Sequence, residues 1–211
     1  KLRLRIGKKT IVHVSFKNFP LSLKEVIKQV LADNPGKYTY TKYPTHFPGI
    51  GDPYKTEEAK NRVNYYQVKS APEFYLDGIW EAYEIVSPED IDSVYGSNTF
   101  LDLRGAFTVE GNTINIIADF MSYIKIDSVR AFISINEKTT TENVATNGET
   151  EFHHIMMKML ADDKGNPINL KAGEYKRLEF SYDMSQTFME DINDLEVALW
   201  LQNYETHEIY N

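Results

Sequence analysis

Apolar and polar positions follow two different periods along this chain, and the change of period divides it in two. Thr10 to Phe16 is a β-branched, apolar run with Val12, Val14 and Phe16 on one face and Ile11 and His13 on the other, the pattern of a strand covered on both sides. The spacing then turns helical. Leu23, Val26, Ile27, Val30 and Leu31 share a face, Ser22 with Glu25 reads as a capping box, Leu21 and Val26 can staple across it, and Asn34-Pro-Gly36 stops the helix. Lys37 to Tyr43 alternates Tyr and Thr as a second strand, and a strand-helix-strand unit of this length predicts a parallel pair with a right-handed crossover. Pro44 to Pro53, rich in proline and glycine, is loop. Thr56 caps a second helix with Ala59, Val63 and Tyr66 on one side. Glu73 to Leu76, Asp77-Gly78 and Ile79 to Ile85 read as a hairpin with a tight turn, and Ser87-Pro88-Glu89-Asp90 opens a short helix ending near Gly96.

From Thr99 onward the period is two. Leu101, Leu103, Phe107 and Val109 alternate with Asp102, Arg104 and Thr108, and after the Gly111-Asn112 turn Ile114, Ile116, Ala118 and Phe120 take one face. Val129, Ala131, Ile133 and Ile135 mark a third strand, Phe152 to Leu160 a fourth, and Leu178, Phe180, Tyr182 and then Leu195, Val197, Leu199, Leu201 two more. Turns at Asp162 to Pro167 and Lys171-Ala-Gly173 separate them. Short alternating strands with turns between them predict an antiparallel sandwich. The expected architecture is α+β: an α/β unit over residues 1–97 and an all-β antiparallel sandwich over residues 98–211. The connector holds a capped helix rather than a Gly/Ser-rich spacer, so the two are expected to pack on each other.

The element order of the first unit resembles the thioredoxin fold. The resemblance is sharpest in Arg62-Val-Asn-Tyr-Tyr-Gln-Val-Lys-Ser-Ala-Pro-Glu-Phe-Tyr-Leu-Asp-Gly78, where a helix leads through a Tyr-x-Val step to a proline, a strand and an Asp-Gly turn. It implies that Pro72 is a structural cis-proline. Where thioredoxins carry Cys-x-x-Cys at the start of the first helix, this chain has Asn18-Phe-Pro-Leu-Ser22, with no sulfur. Phe19 and Ser22 are the expected counterparts of those cysteines. In the second unit, Phe152 to Leu160, Leu170-Lys-Ala-Gly-Glu174 and Leu195 to Ile209 resemble the tail of the outer-membrane-protein-28-related family. Those are exported Gram-negative proteins that join a thioredoxin-like domain to a β-sandwich. The resemblance implies an envelope or surface location, with peripheral or lipid-anchored membrane association open, and carries over no catalytic residue.

Composition narrows the chemistry further. Cysteine is absent, which removes dithiol exchange, disulfides, thiolate metal sites and cysteine nucleophiles together. Acidic residues outnumber basic ones 31 to 23, a net charge of −8 that disfavours a nucleic-acid partner. The basic run Lys1 to Lys9 alternates with apolar residues and reads as an edge strand. No apolar run reaches a membrane span and no signal peptide is present, while the start at Lys1 without Met suggests a mature or trimmed chain.

Candidate sites are few. His153 and His154 are neighbours on a strand, point to opposite faces and cannot chelate one ion together. Asp162-Asp163-Lys-Gly165-Asn166 lacks the alternate spacing of a calcium loop and reads as a turn. Gly49-Ile-Gly51-Asp52 is a fragment of a phosphate loop without its Lys-Ser/Thr ending, no Gly-x-Ser-x-Gly elbow occurs, and Glu57-Glu58 and Glu89-Asp90 belong to helix first turns. No catalytic residue, metal ligand or cofactor is expected. Ile117, Met121, Phe132 and Trp200 fall out of phase with the core positions of their strands. Phe132 and Trp200 are therefore the candidate binding surface, with packing between the two units as the competing assignment. The expected function is non-catalytic binding or scaffolding of an unidentified protein in the envelope. The alternatives are a peptide held beside Pro72 and a glycan held by exposed aromatics, as an accessory module of an exported enzyme system.

Overall fold

A computed structural model describes residues 2–6, 10–15, 21–47, 51–69, 73–83, 86–96, 98–142 and 150–210. The first part runs β1 (Leu2–Ile6), β2 (Thr10–Ser15), α1 (Leu21–Asp33), β3 (Thr39–Pro44), α2 (Glu57–Tyr65), β4 (Glu73–Leu76), β5 (Trp80–Tyr83) and α3 (Pro88–Tyr95). Strands follow: β6 (Leu101–Glu110), β7 (Thr113–Ser122), β8 (Ile126–Thr140), β9 (Phe152–Leu160), β10 (Asn166–Leu170), β11 (Tyr175–Asp183) and β12 (Leu195–Asn203).

The helix starts are set by side-chain caps. The Thr56 hydroxyl accepts the Ala59 N–H at 3.1 Å to open α2. Ser87 and Asp90 cap α3 reciprocally ahead of Pro88. Helix α1 begins at Leu21, so Ser22 lies in its first turn rather than at the cap. Ile27 and Val30 bury against Phe74, Leu76 and Ile91, but Val26, expected on the same face, is exposed. Phe19 and Pro72, with the peptide bond before it, lie outside the described residues.

Two sheets organise the strands. In the larger, mixed sheet the order is β10-β8-β9-β3-β2-β4-β5, with β12 also paired to β8. Here β2 runs parallel to β3, as the strand-helix-strand unit predicts, and antiparallel to β4. A short parallel pairing of β3 with β9, Lys42 opposite Ile155, makes one sheet of strands from both sides of residue 97. The smaller sheet is antiparallel, in the order β1-β6-β7-β11. Strand β1 is an edge strand, as its alternation suggests, but it joins the sheet of the later strands, since alternation fixes faces and not partners. The turn expected over Asp162 to Pro167 is shorter than that, because Asn166 and Pro167 already belong to β10. Pro167 is tolerated there because β10 pairs with β8 alone.

The main core lies between the two sheets and holds the alternating set expected of it. Leu103, Ile114, Ile116 and Phe120 of the smaller sheet face Val129, Ile133, Leu199 and Leu201 of the larger one. The opposite face of β8, β9 and β12 is buried as well. Helix α2 lies across it, bringing Ala59, Val63 and Tyr66 onto Phe132, Met156, Met159, Ala198 and Trp200. This corrects the expectation of a binding surface at Phe132 and Trp200. Both are fully buried, their rings stacked at 5.2 Å and 7°. Their apolar character out of phase reflects strands covered on both faces, which read as near-continuous apolar runs. Met121 is buried too, whereas Ile117 is exposed.

Candidate functional site

Helix α2 places Arg62 on the face it presents to β12, at i+3 from Ala59 and i−4 from Tyr66, and no part of the side chain reaches solvent. Among the described residues no carboxylate pairs with it. Its Nη2 donates to Gln202 Oε1 at 2.8 Å and to the Tyr66 hydroxyl at 3.0 Å, while Nε and Nη1 find no partner. Aromatic rings take the place of a counter-ion: the guanidinium carbon lies 4.5 Å from the centroids of Tyr65 and Phe132, 4.9 Å from Tyr66 and 6.0 Å from Tyr43. Burial pulls the Arg62 pKa down, but the Tyr66, Tyr43 and Tyr65 hydroxyls more than offset it, so the group stays charged. Burial likewise pushes the Tyr43 and Tyr65 phenols well above their ordinary value. A box of this kind could hold an external cation, but the protein's own arginine fills it.

The clasp continues through Gln202. Its Nε2 donates to the Tyr66 hydroxyl at 2.8 Å and to the His207 carbonyl at 2.7 Å, fastening the segment after β12. That segment crosses the β4–β5 turn, where the Ile209 N–H donates to the Asp77 carbonyl at 2.9 Å. Gly78 makes the crossing possible. Its φ is +79°, and a Cβ there would stand 2.0 Å from the His207 carbonyl oxygen. The His207 ring packs 4.2 Å from Tyr65, and burial, then the charge of Arg62, lowers its pKa.

An open groove of about 530 Å³ lies beside this clasp. Tyr66, Lys69, Glu73 and Tyr75 from the first part line it, together with Thr206 and His207 from the end of the chain. Tyr75 stacks on Tyr66 at 4.5 Å, and its hydroxyl contacts both the Tyr66 carbonyl and the Glu73 carboxylate. Sequence reasoning missed Arg62, Gln202 and the groove. Arg62 stands at helical spacing from Ala59 and Tyr66, and Gln202 shares with Trp200 the face of β12 expected to be a surface.

The other candidates have structural partners. His153 binds Glu151 and contacts Thr139, and burial lowers its pKa; His154 pairs with Glu196 at 2.7 Å and meets the Tyr40 ring edge-on. Asp162 closes a turn by accepting the Lys164 N–H at 2.8 Å. Gly51 has φ +77° and lies so close to the His46 backbone that a Cβ there would stand 2.8 Å from it, and Gly49 lies outside the described residues. Among the described residues no three His, Asp or Glu side chains converge as metal ligands, and no helix is long and apolar enough to cross a membrane.

Fold and site together define an α+β protein with a mixed sheet, its first and last segments clasped by a buried arginine. No family model and no curated protein matches the chain, so the family resemblance drawn from the sequence has no such match behind it. Solved structures do match it. HBP35 of Porphyromonas gingivalis superposes with a TM-score of 0.78 at 12% identity, over 97% of this chain and 73% of that one. Protein AGR_C_4864 from Agrobacterium tumefaciens gives 0.60 at 11% identity, over 95% and 89%. At such identities the likeness is one of fold.

Proposed function

We propose that this chain is a non-catalytic binding or scaffold protein of the cell envelope. It joins a thioredoxin-like half without cysteines, residues 1–97, to a β-sandwich half, residues 98–211, and holds an extended peptide in the groove at their junction. One observation carries this reading: the groove walls come from both halves, with Tyr66, Lys69, Glu73 and Tyr75 facing Thr206 and His207. Ligand sites concentrate where units meet. The thioredoxin-like assignment is supported by the succession β2, α1, β3, α2, β4–β5, α3. The likeness in fold to HBP35 supports the pairing of the two halves. Envelope location rests on the sequence resemblance to an exported family. A peptide is favoured because Lys69 and Glu73, which line the groove, flank in sequence the proline that the thioredoxin resemblance singles out.

The test is to pan a displayed library of random peptides on the purified chain and titrate the winners by fluorescence anisotropy. Lys69→Glu and His207→Ala are expected to weaken the selected peptides at least about tenfold, or roughly 1.4 kcal/mol. Winners indifferent to both substitutions would remove the groove from the proposal.

A further inference from the structure

The groove does not end at Ile79. That side chain, 60% exposed beside the β4–β5 turn, also lines a second and larger cavity, of about 920 Å³. Phe100, ahead of β6, and Ile124, in the β7–β8 turn, line this cleft with it and are 52% and 45% exposed. Single exposed apolar side chains are ordinary, but three around one cavity form a surface that water solvates poorly.

The charges around the cleft are one-sided. Asp127 and Glu208 are exposed on it, while Asp77 is buried in its wall; the one cation that lines it, Lys125, has its ammonium 2.6 Å from the Asp127 carboxylate. This acidic rim belongs to a chain already carrying a net −8. Field and desolvation therefore select the same kind of partner, apolar at its centre and cationic at its edges. Anionic lipid surfaces and acidic peptides are repelled. A second copy docking through the same face would set one acidic rim against another, because a two-fold contact repeats each patch on both sides.

We propose that the cleft binds a basic, apolar stretch of a partner polypeptide. An aliphatic or aromatic side chain seats among Ile79, Phe100 and Ile124, and flanking Lys or Arg residues meet the rim of Asp127 and Glu208. This rests on the junction groove being a peptide site: the same extended chain passes over Ile79 from one cavity into the other.

The test is anisotropy with labelled synthetic peptides of repeating Lys-Phe-Lys-Leu composition, with the Glu-for-Lys counterpart and with Ser in place of the apolar residues. The basic, apolar peptide is expected to bind and the other two to fail. Phe100→Ser and Ile124→Ser, whose folding is checked by circular dichroism, should each weaken it about tenfold, and Glu208→Lys should weaken it and flatten its salt dependence. Equal binding of the acidic peptide overturns the proposal. So does self-association in sedimentation that Phe100→Ser abolishes, because the occupant is then a second copy. If peptides selected by panning respond to Lys69→Glu but not to Phe100→Ser, the groove reading stands and the cleft proposal fails. If no peptide responds to either, both fail.

Discussion

At position 62 two effects oppose each other. A buried guanidinium without a carboxylate carries a desolvation cost of several kcal/mol, so removing its charge should help. Its stem and plane, however, fill the space between Tyr65, Tyr66 and Phe132, and its Nη2 satisfies Gln202. Truncation leaves a cavity and an amide oxygen with only the long 3.5 Å bond from Trp200 Nε1, which together outweigh the relieved charge. Arg62→Ala is therefore expected to lose about 3–5 kcal/mol in urea unfolding, while Arg62→Met, which keeps most of the volume, loses about 1–2. A Met variant as unstable as the Ala variant would show that the charge, not the packing, holds the clasp. The helical periodicity of α2 already assigns this position to a buried face. What it cannot express is that aromatic rings and a distant glutamine supply the partners, since Gln202 lies 140 residues away.

Among the elements, the far end of β8 shows how a strand is tied to a loop. Glu137 is fully buried, and its carboxylate accepts the Asp191 N–H at 2.6 Å and the Glu190 N–H at 2.9 Å. Burial raises its pKa above the ordinary carboxylate range, against the lowering effect of those two amides. A raised folded value means the native state holds the proton more tightly. The contribution to stability is thus present below about pH 4.5 and is lost as pH rises through the raised value. At pH 7 the charge is a burden, and Glu137→Gln, which keeps an acceptor oxygen, should lie within about 1 kcal/mol of wild type and show a weaker pH dependence. Glu137→Ala strands two partly buried amides and should lose about 1–3 kcal/mol. Denaturant midpoints for the three chains from pH 4 to pH 8 decide the matter; a Gln variant as unstable as Ala would show that the charge itself is needed. Local signals made the caps at Thr56 and Ser87 and the alternation of Leu195 to Leu201 legible in the sequence. The sheet that takes β1, the strand at β10 and the second buried face of β8, β9 and β12 depend on partners remote in the chain, which period and turn residues do not encode.

Over the whole molecule, the connections between the two halves include the pairings of β1 with β6 and β3 with β9, the Arg62–Gln202 clasp, and the final segment lying over Gly78. Buried Asn136 adds another, donating from β8 to the Tyr40 carbonyl in β3 at 3.1 Å. Independent unfolding of either half would expose the apolar face shared by α2 with Phe132 and Trp200 and break the hydrogen bonds that Asn136, Arg62 and Gln202 make across the junction. That cost makes one cooperative unit the expected behaviour even though the chain exceeds the usual two-state size. Scanning calorimetry should give a single transition whose calorimetric and van 't Hoff enthalpies agree. Gly78→Ala supplies the perturbation. The added Cβ meets the His207 carbonyl and the Gln202 amide at a φ that disfavours alanine, so the last segment must shift. A loss of about 2 kcal/mol or more corresponds to a Tm lower by about 4–8 °C for a chain of this size. The peak should move without splitting. Two resolved peaks in wild type, or a Gly78→Ala shift confined to one of them, would mean that the halves melt separately and that the clasp is a contact rather than a structural bond between them.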